Sequence, residues 1–191
     1  MSRRRRKAFP MMGPIVCGVR FFVKNAKGEI SPHELRRSRN GCLMIMHAMM
    51  GINMEYLQCY PKAPTLYSCD GRDAAHPVVI YQEEPKGSLE SFDSFPIVMG
   101  RGWGDCDDLA AIRCAELRVR GNIQAVPYIK WRPAGDARAN VYHACVQWPD
   151  GRIEDPSLAL GMAGHPITRK PVWIAPGPMP KADETIPGDD E

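Results

Sequence analysis

The run Gly104-Asp105-Cys106-Asp107-Asp108-Leu109-Ala110 constrains this chain more than any other. Gly100, Gly102 and Gly104 give the backbone an open approach, Asp105 is a good N-cap, and Asp108 stands three residues on, where a capping-box carboxylate belongs. The run predicts a helix whose first residue is Cys106. Leu109, Ala110, Ile112, Cys114, Leu117 and Val119 supply its apolar spacing, Arg113, Glu116, Arg118 and Arg120 its wet side, and Gly121 its stop. Such a helix puts the thiol at the positive end of its dipole, which favours the thiolate. Asp105, Asp107 and Asp108 act in the opposite sense, because negative charge beside a thiol disfavours its ionisation.

A second local signal lies downstream. Asn140 to Trp148 and Arg152 to Asp155 read as strands flanking Pro149-Asp150-Gly151, with Pro suited to the first central position of a type I turn and Gly to a left-handed one. Pairing Trp148 with Arg152 sets Gln147 opposite Ile153 and Cys145 opposite Asp155, and His143 opposite Ser157 if the ladder extends that far. His143 and Asp155 then share a face as diagonal neighbours, about 7–8 Å apart between backbones. A nucleophilic thiol, a base and an orienting carboxylate thus follow in the order Cys106, His143, Asp155. The plain alternative is a buried small cysteine, a half-buried histidine and a strand-ending Asp-Pro turn.

These residues resemble the transglutaminase-like cysteine hydrolases, in particular the small versions encoded by tailed phages and prophages. The resemblance runs from Phe95 to Met162 and rests on Gly-Asp-Cys-Asp-Asp-Leu-Ala, Tyr142-His143 and Asp150-Gly151-Arg152-Ile153-Glu154-Asp155-Pro156-Ser157. It extends more thinly to Tyr56-Leu57-Gln58-Cys59-Tyr60 and to Tyr81 through Gly87. It implies an α+β fold with a papain-like, transglutaminase-like core, in which a Cys-bearing helix packs on an antiparallel sheet carrying His and Asp. It also implies Cys106 as nucleophile, His143 as base and Asp155 as orienter, acting on protein or peptide amides without a cofactor. Hydrolysis and transamidation share the first half of that path. The backbone amide of Cys106 is the natural half of an oxyanion hole, with Trp103, Gln58 and Gln82 as candidates for the other half. A virion setting follows from the phage resemblance, with synthesis in the host cytoplasm. So does an alternative of another class: a structural virion protein at a head, neck or tail joint, which keeps the fold with little or no catalysis.

Other chemistries fit less well. A zinc site from Cys106 or Cys114 with His143 and Cys145 lacks any Cys-x-x-Cys pair. The glycines before Cys106 lack the Lys-Ser or Lys-Thr of a phosphate loop, and three aspartates would repel the ligand. First-turn acids on one helix point in different directions, which argues against magnesium.

Composition bounds the remainder. Over 191 residues the hydrophobic content is 44%, with no apolar run near the 18 or more residues that a membrane span needs. Residues 1–14 read as a basic arm, 15–162 as the transglutaminase-like domain, and 163–191 as a Pro-rich extended tail anchored by Val172-Trp173-Ile174. A net charge of +3 is too small to imply a nucleic-acid partner for the whole chain. Arg3 to Lys7 could still touch nucleic acid, an acidic protein surface or the acidic end at Asp183, Glu184, Asp189, Asp190 and Glu191, and the arm and tail are the expected contacts to other virion proteins. Pro10, Pro14 and Arg20 interrupt what would otherwise resemble a secretory signal. Ile15 to Val23 reads instead as a first strand. Seven cysteines, odd in number, fit one nucleophile plus packed thiols made in a reducing cytosol. Gly41 to Tyr56 predicts a second helix with Leu43, Met46, His47, Met50 and Met54 on its core stripe and His47 in a structural role. Val78 to Gln82 is a strand fragment in the wall over which a substrate would lie.

Overall fold

A computed structural model describes residues 18–20, 23–24, 30–31, 39–68, 78–85, 91–133 and 140–176. The basic arm, most of the first predicted strand, Cys17, Cys69 and the acidic end lie outside the described residues. Short strands β1 (Gly18–Arg20), β2 (Val23–Lys24) and β3 (Ile30–Ser31) lead to helix α1 (Arg39–Cys59). Then come β4 (Ile80–Tyr81), β5 (Ser91–Asp93), α2 (Phe95–Arg101), β6 (Trp103–Gly104) and α3 (Cys106–Gly121). The chain continues through β7 (Val126–Pro133), β8 (Asn140–Gln147), β9 (Ile153–Glu154), α4 (Pro156–Ala159) and β10 (Trp173–Ile174).

The fold is α+β. An antiparallel sheet runs in the order β10-β9-β8-β7, with β7 and β8 paired from Val126↔Gln147 to Pro133↔Asn140. Helices α1 and α3 pack on each other and against this sheet, α1 over β7 and α3 over β8. Ile129, Ala144 and Val146 point into the shared core with Met46, Met49, Leu57, Leu109 and Ile112. Tyr128, Cys145 and Ile153 point the other way and form a small second cluster with Ile174, as period-two alternation requires. Among the described residues no helix is long and apolar enough to cross a membrane.

The core stripe of α1 is rotated from the expected one: Ile45, Met46, Met49, Met50, Asn53 and Leu57 are buried, and His47 is exposed. Asn53 replaces a hydrophobe for a reason. Its Oδ1 accepts the Phe95 N–H at 2.7 Å, satisfying a free donor at the start of α2.

Helix α3 begins and ends where predicted, with Asp105 as N-cap, but its wet side is largely absent. α1, the sheet and α4 surround it, so Glu116 is 2% exposed and Arg113 is half-buried. Their burial is tolerated because they are paired. Glu154, 0% exposed, accepts from Arg113 Nε at 2.7 Å, the Tyr67 hydroxyl at 2.7 Å and Trp148 Nε1 at 2.8 Å. Glu116 takes the Leu66 N–H and lies 3.3 Å from Arg113. At the helix end the left-handed residue is Asn122 (φ 50°) rather than Gly121, a role that asparagine's short polar side chain tolerates.

The predicted hairpin forms. Gly151 is left-handed (φ 85°), Trp148 and Arg152 are joined by a backbone bond of 2.9 Å, and Gln147 faces Ile153. The ladder stops at Val146↔Glu154, so Asp155 does not pair with Cys145 nor Ser157 with His143. Pro156 has no N–H to donate and opens α4 instead. Trp173 and Ile174 return to pair with Glu154 and Ile153.

Candidate active site

The site is assembled from the ends of short elements. Cys106 is the first residue of α3 and is half-buried. Strand β4 ties this end in place: Tyr81 pairs with Gly104 in parallel, the Gln82 N–H donates to Gly104 O at 3.0 Å, and the Tyr81 N–H donates to Leu160 O at 2.9 Å. The same two-residue strand thus holds the approach to Cys106 and the far end of α4, whose first cap is Asp155.

His143 and Asp155 meet. His143 Nε2 lies 2.7 Å from Asp155 Oδ2. The carboxylate is 1% exposed and is fixed twice more, since its Oδ1 accepts the Leu158 N–H at 3.1 Å and its own N–H donates to Val172 O at 2.8 Å. The orienter is therefore the N-cap of α4 and not a strand residue, and it reaches the histidine from beyond the end of β9. With Nε2 committed to Asp155, Nδ1 is the nitrogen left to exchange a proton with a thiol. His143 shares its sheet face with Cys145, and α4 packs against both α3 and β8. The charge of Cys106 is felt at Cys145, whose thiol is pushed up chiefly by burial and then by Asp155 and Cys106.

The acids around Cys106 behave differently from one another. Asp107 is held well above the usual carboxylate range, first by burial and then by the charge of Asp105, to which it also hydrogen-bonds. Burial and Asp105 thus both favour a proton on Asp107. Asp108 is raised by burial and by Asp105, but the Asp93 N–H on Oδ1 (2.6 Å) and Arg101 on Oδ2 (2.6 Å) counter this. Asp108 is thus no capping-box residue. It is the anchor of an Arg101 guanidinium that also binds Asp93 and lies over the Trp103 ring, 3.7 Å from its centroid. Among the described residues Arg101 is thus shared between Asp108 and Asp93, and no ion pair is formed by Asp105.

Of the oxyanion candidates, Trp103 and Gln82 flank Gly104 and so the start of α3, whereas Gln58 is exposed on the last turn of α1. Sequence reasoning assigned no role to Tyr81. Its phenol is raised by burial first, then by Cys106, Glu83 and Asp105, and it hydrogen-bonds Glu83. It therefore stands beside the thiol as a neutral hydroxyl. The short strand around Val78 to Gln82 was the available signal.

Among the described residues two groups of side chains have metal-ligand chemistry. His143, Cys145 and Asp155 bring one ligand atom each within 4.8 Å of the others, and Asp105, Asp107 and Asp108 do the same. The acids therefore converge, contrary to expectation, because Asp105 is an extended N-cap (φ −92°, ψ −169°) and not part of the first turn. Tetrahedral zinc holds ligands of this kind about 3.3 Å apart or more, so the 2.7 Å His143–Asp155 contact has the spacing of a hydrogen bond. Cys114, the other cysteine weighed for zinc, is sealed in the core.

The chain matches no protein-family model, no curated protein and no solved structure.

Proposed function

We propose that this protein carries out thiol-dependent acyl chemistry on amide bonds, from a papain-like, transglutaminase-like arrangement of Cys106, His143 and Asp155. The observation that carries the reading is the bond between His143 Nε2 and a buried Asp155 fixed by two further contacts. A carboxylate so held selects one imidazole tautomer and stabilises the imidazolium, which is the orienter's task.

In the proposed path the Cys106 thiol passes its proton to His143 Nδ1 as sulfur attacks the amide carbon. The tetrahedral oxyanion is stabilised by the Cys106 N–H at the helix start. The C–N bond then breaks, His143 gives the proton to the departing amine, and a thioester remains. Water or a second amine attacks the thioester, His143 takes a proton from the attacker, and the thiol is restored. Protein or peptide amides are the proposed substrates, and the phage resemblance supports synthesis in a host cytoplasm and assembly into a virion.

A second reading, a structural virion protein with little catalysis, is favoured by Asp105, whose negative charge beside Cys106 disfavours a thiolate. Iodoacetamide labelling of native protein, read by mass spectrometry as a function of pH, separates the two. Labelling of Cys106 below pH 7 that His143→Ala abolishes supports the enzyme. Labelling no faster than at the other thiols, and indifferent to His143, leaves the structural reading.

A further inference from the structure

A groove of about 480 Å³ opens between the last turn of α1, residues 60–64 and α2, and no member of the Cys106 site lines it. Its floor is a continuous aromatic ladder: the Tyr56 ring lies 4.9 Å from Tyr60 and 5.4 Å from Phe95, centroid to centroid. Pro61, Pro64, Pro96 and Met99 complete an apolar lining, and Tyr60 is 48% exposed. Among the described residues Lys62 is the single charged residue of the lining.

Contacting aromatic rings framed by prolines suit a polyproline II segment, which is already extended and loses little entropy on docking. An acidic flank on such a segment would meet Lys62. The chain carries that combination in its own sequence, as Pro176, Pro178 and Pro180 at alternate positions followed by Asp183 and Glu184. We propose that the groove binds this C-terminal run from a second copy of the chain.

The root of the run favours a second copy. Ile174 packs with Tyr128, Cys145 and Ile153 on the sheet face opposite the Ile129, Ala144 and Val146 core, and Ala175 O accepts from Lys130 Nζ at 3.4 Å on that same face. The segment therefore departs from one side of the sheet, and the groove is built by helices associated with the other. From Pro176 to Glu184 the run itself spans up to about 25 Å at roughly 3.1 Å per residue, so it projects to a neighbour that sits against this face. The contact is head-to-tail, the class that builds rings or open filaments. It is independent of whether Cys106 is a nucleophile.

A benzophenone amino acid at position 179 of the full chain, in an equal mixture of light and ¹⁵N-labelled protein, tests this after irradiation and mass spectrometry. The expected result is mixed-isotope cross-links landing in residues 56–64 and 95–100. Tyr60→Ala, at an exposed position that the core does not need, lowers their yield at least about fivefold, as does Lys62→Glu. Cross-links confined within one copy, scattered over the surface, or unchanged in Tyr60→Ala overturn the proposal.

Discussion

Asp107→Asn tests the electrostatic account of the Cys106 site most directly. Asp107 is 7% exposed, and burial together with the neighbouring Asp105 favours its protonated form. An unfolded aspartate releases that proton near pH 3.9. Below this pH both states are protonated and no penalty exists. Above it the unfolded chain has lost a proton that the folded chain retains, so stability falls by about 1.4 kcal/mol per pH unit, until the folded carboxyl ionises in turn. Asparagine keeps the donor to Asp105 through its Nδ2–H and needs no proton. The variant and the parent should therefore differ little near pH 4. Their stability difference should open in favour of asparagine as pH rises, at up to about 1.4 kcal/mol per unit. Asp108 and Glu116 are also raised, but they are common to both proteins. Urea unfolding followed by tryptophan fluorescence at several pH values, with m unchanged, reads the difference. A difference that is flat in pH, or asparagine less stable throughout, would refute the assignment of the proton. A companion measurement sharpens the point: Asp105→Asn, which removes a charge, should speed Cys106 labelling, whereas Asp107→Asn should leave it nearly unchanged.

Glu154→Ala leaves the half-buried Arg113 with Glu116 alone and strands the Tyr67 and Trp148 donors, and should cost about 1–3 kcal/mol in denaturant unfolding; a loss under about 0.5 kcal/mol would contradict the network around Glu154. Asp155→Ala loses the α4 cap, worth about 1 kcal/mol, together with the imidazole partner. Asp155→Asn keeps the cap yet forces the histidine into the tautomer that cannot accept the thiol proton, so Cys106 labelling should fall to the His143→Ala rate with stability nearly intact. Gly104→Ala would set a Cβ 3.2 Å from Val98 Cγ1 and 3.3 Å from Asp108 Cβ and Leu109 Cδ2, a cost of about 1–3 kcal/mol. Gly100→Ala meets nothing within 4 Å and should be neutral or stabilising by thermal unfolding.

What was legible in the sequence was local. The start of α3 at Cys106 and the Gln147↔Ile153 register both sit where a few adjacent residues put them, although Asp105 takes the N-cap position without a side-chain capping bond. The His143–Asp155 contact was anticipated as well, but by the wrong route. Asp155-Pro156 is an N-cap followed by proline at the first helical position, a helix-start signal that in sequence looks the same as a strand-ending turn. The failures were long-range. Nothing near Glu116 announces Leu66, and nothing near Glu154 announces Tyr67 or Arg113, so charges spaced as a wet helix face turned out to be a buried, paired network. The partner of Asp108 was Arg101, hidden among the glycines of the approach.

Burial changes the sign of an argument as well as its weight. Three aspartates in a row around a cysteine read as a field hostile to a thiolate. Enclosure then favours a proton on one of them and brings Arg101, shared with Asp93, onto another, so the formal count does not set the field. Asp105 remains, at the residue whose backbone turns the chain into α3. The fixed parts of the site, the β4 clamp on Gly104 and Leu160 and the doubly held Asp155, are backbone bonds and a helix cap that either a catalyst or a structural subunit could keep. The two readings therefore diverge at the charge of Asp105 set against the helix dipole and His143. For that reason the response of Cys106 to Asp105→Asn carries more information about function than any substitution that merely breaks the fold.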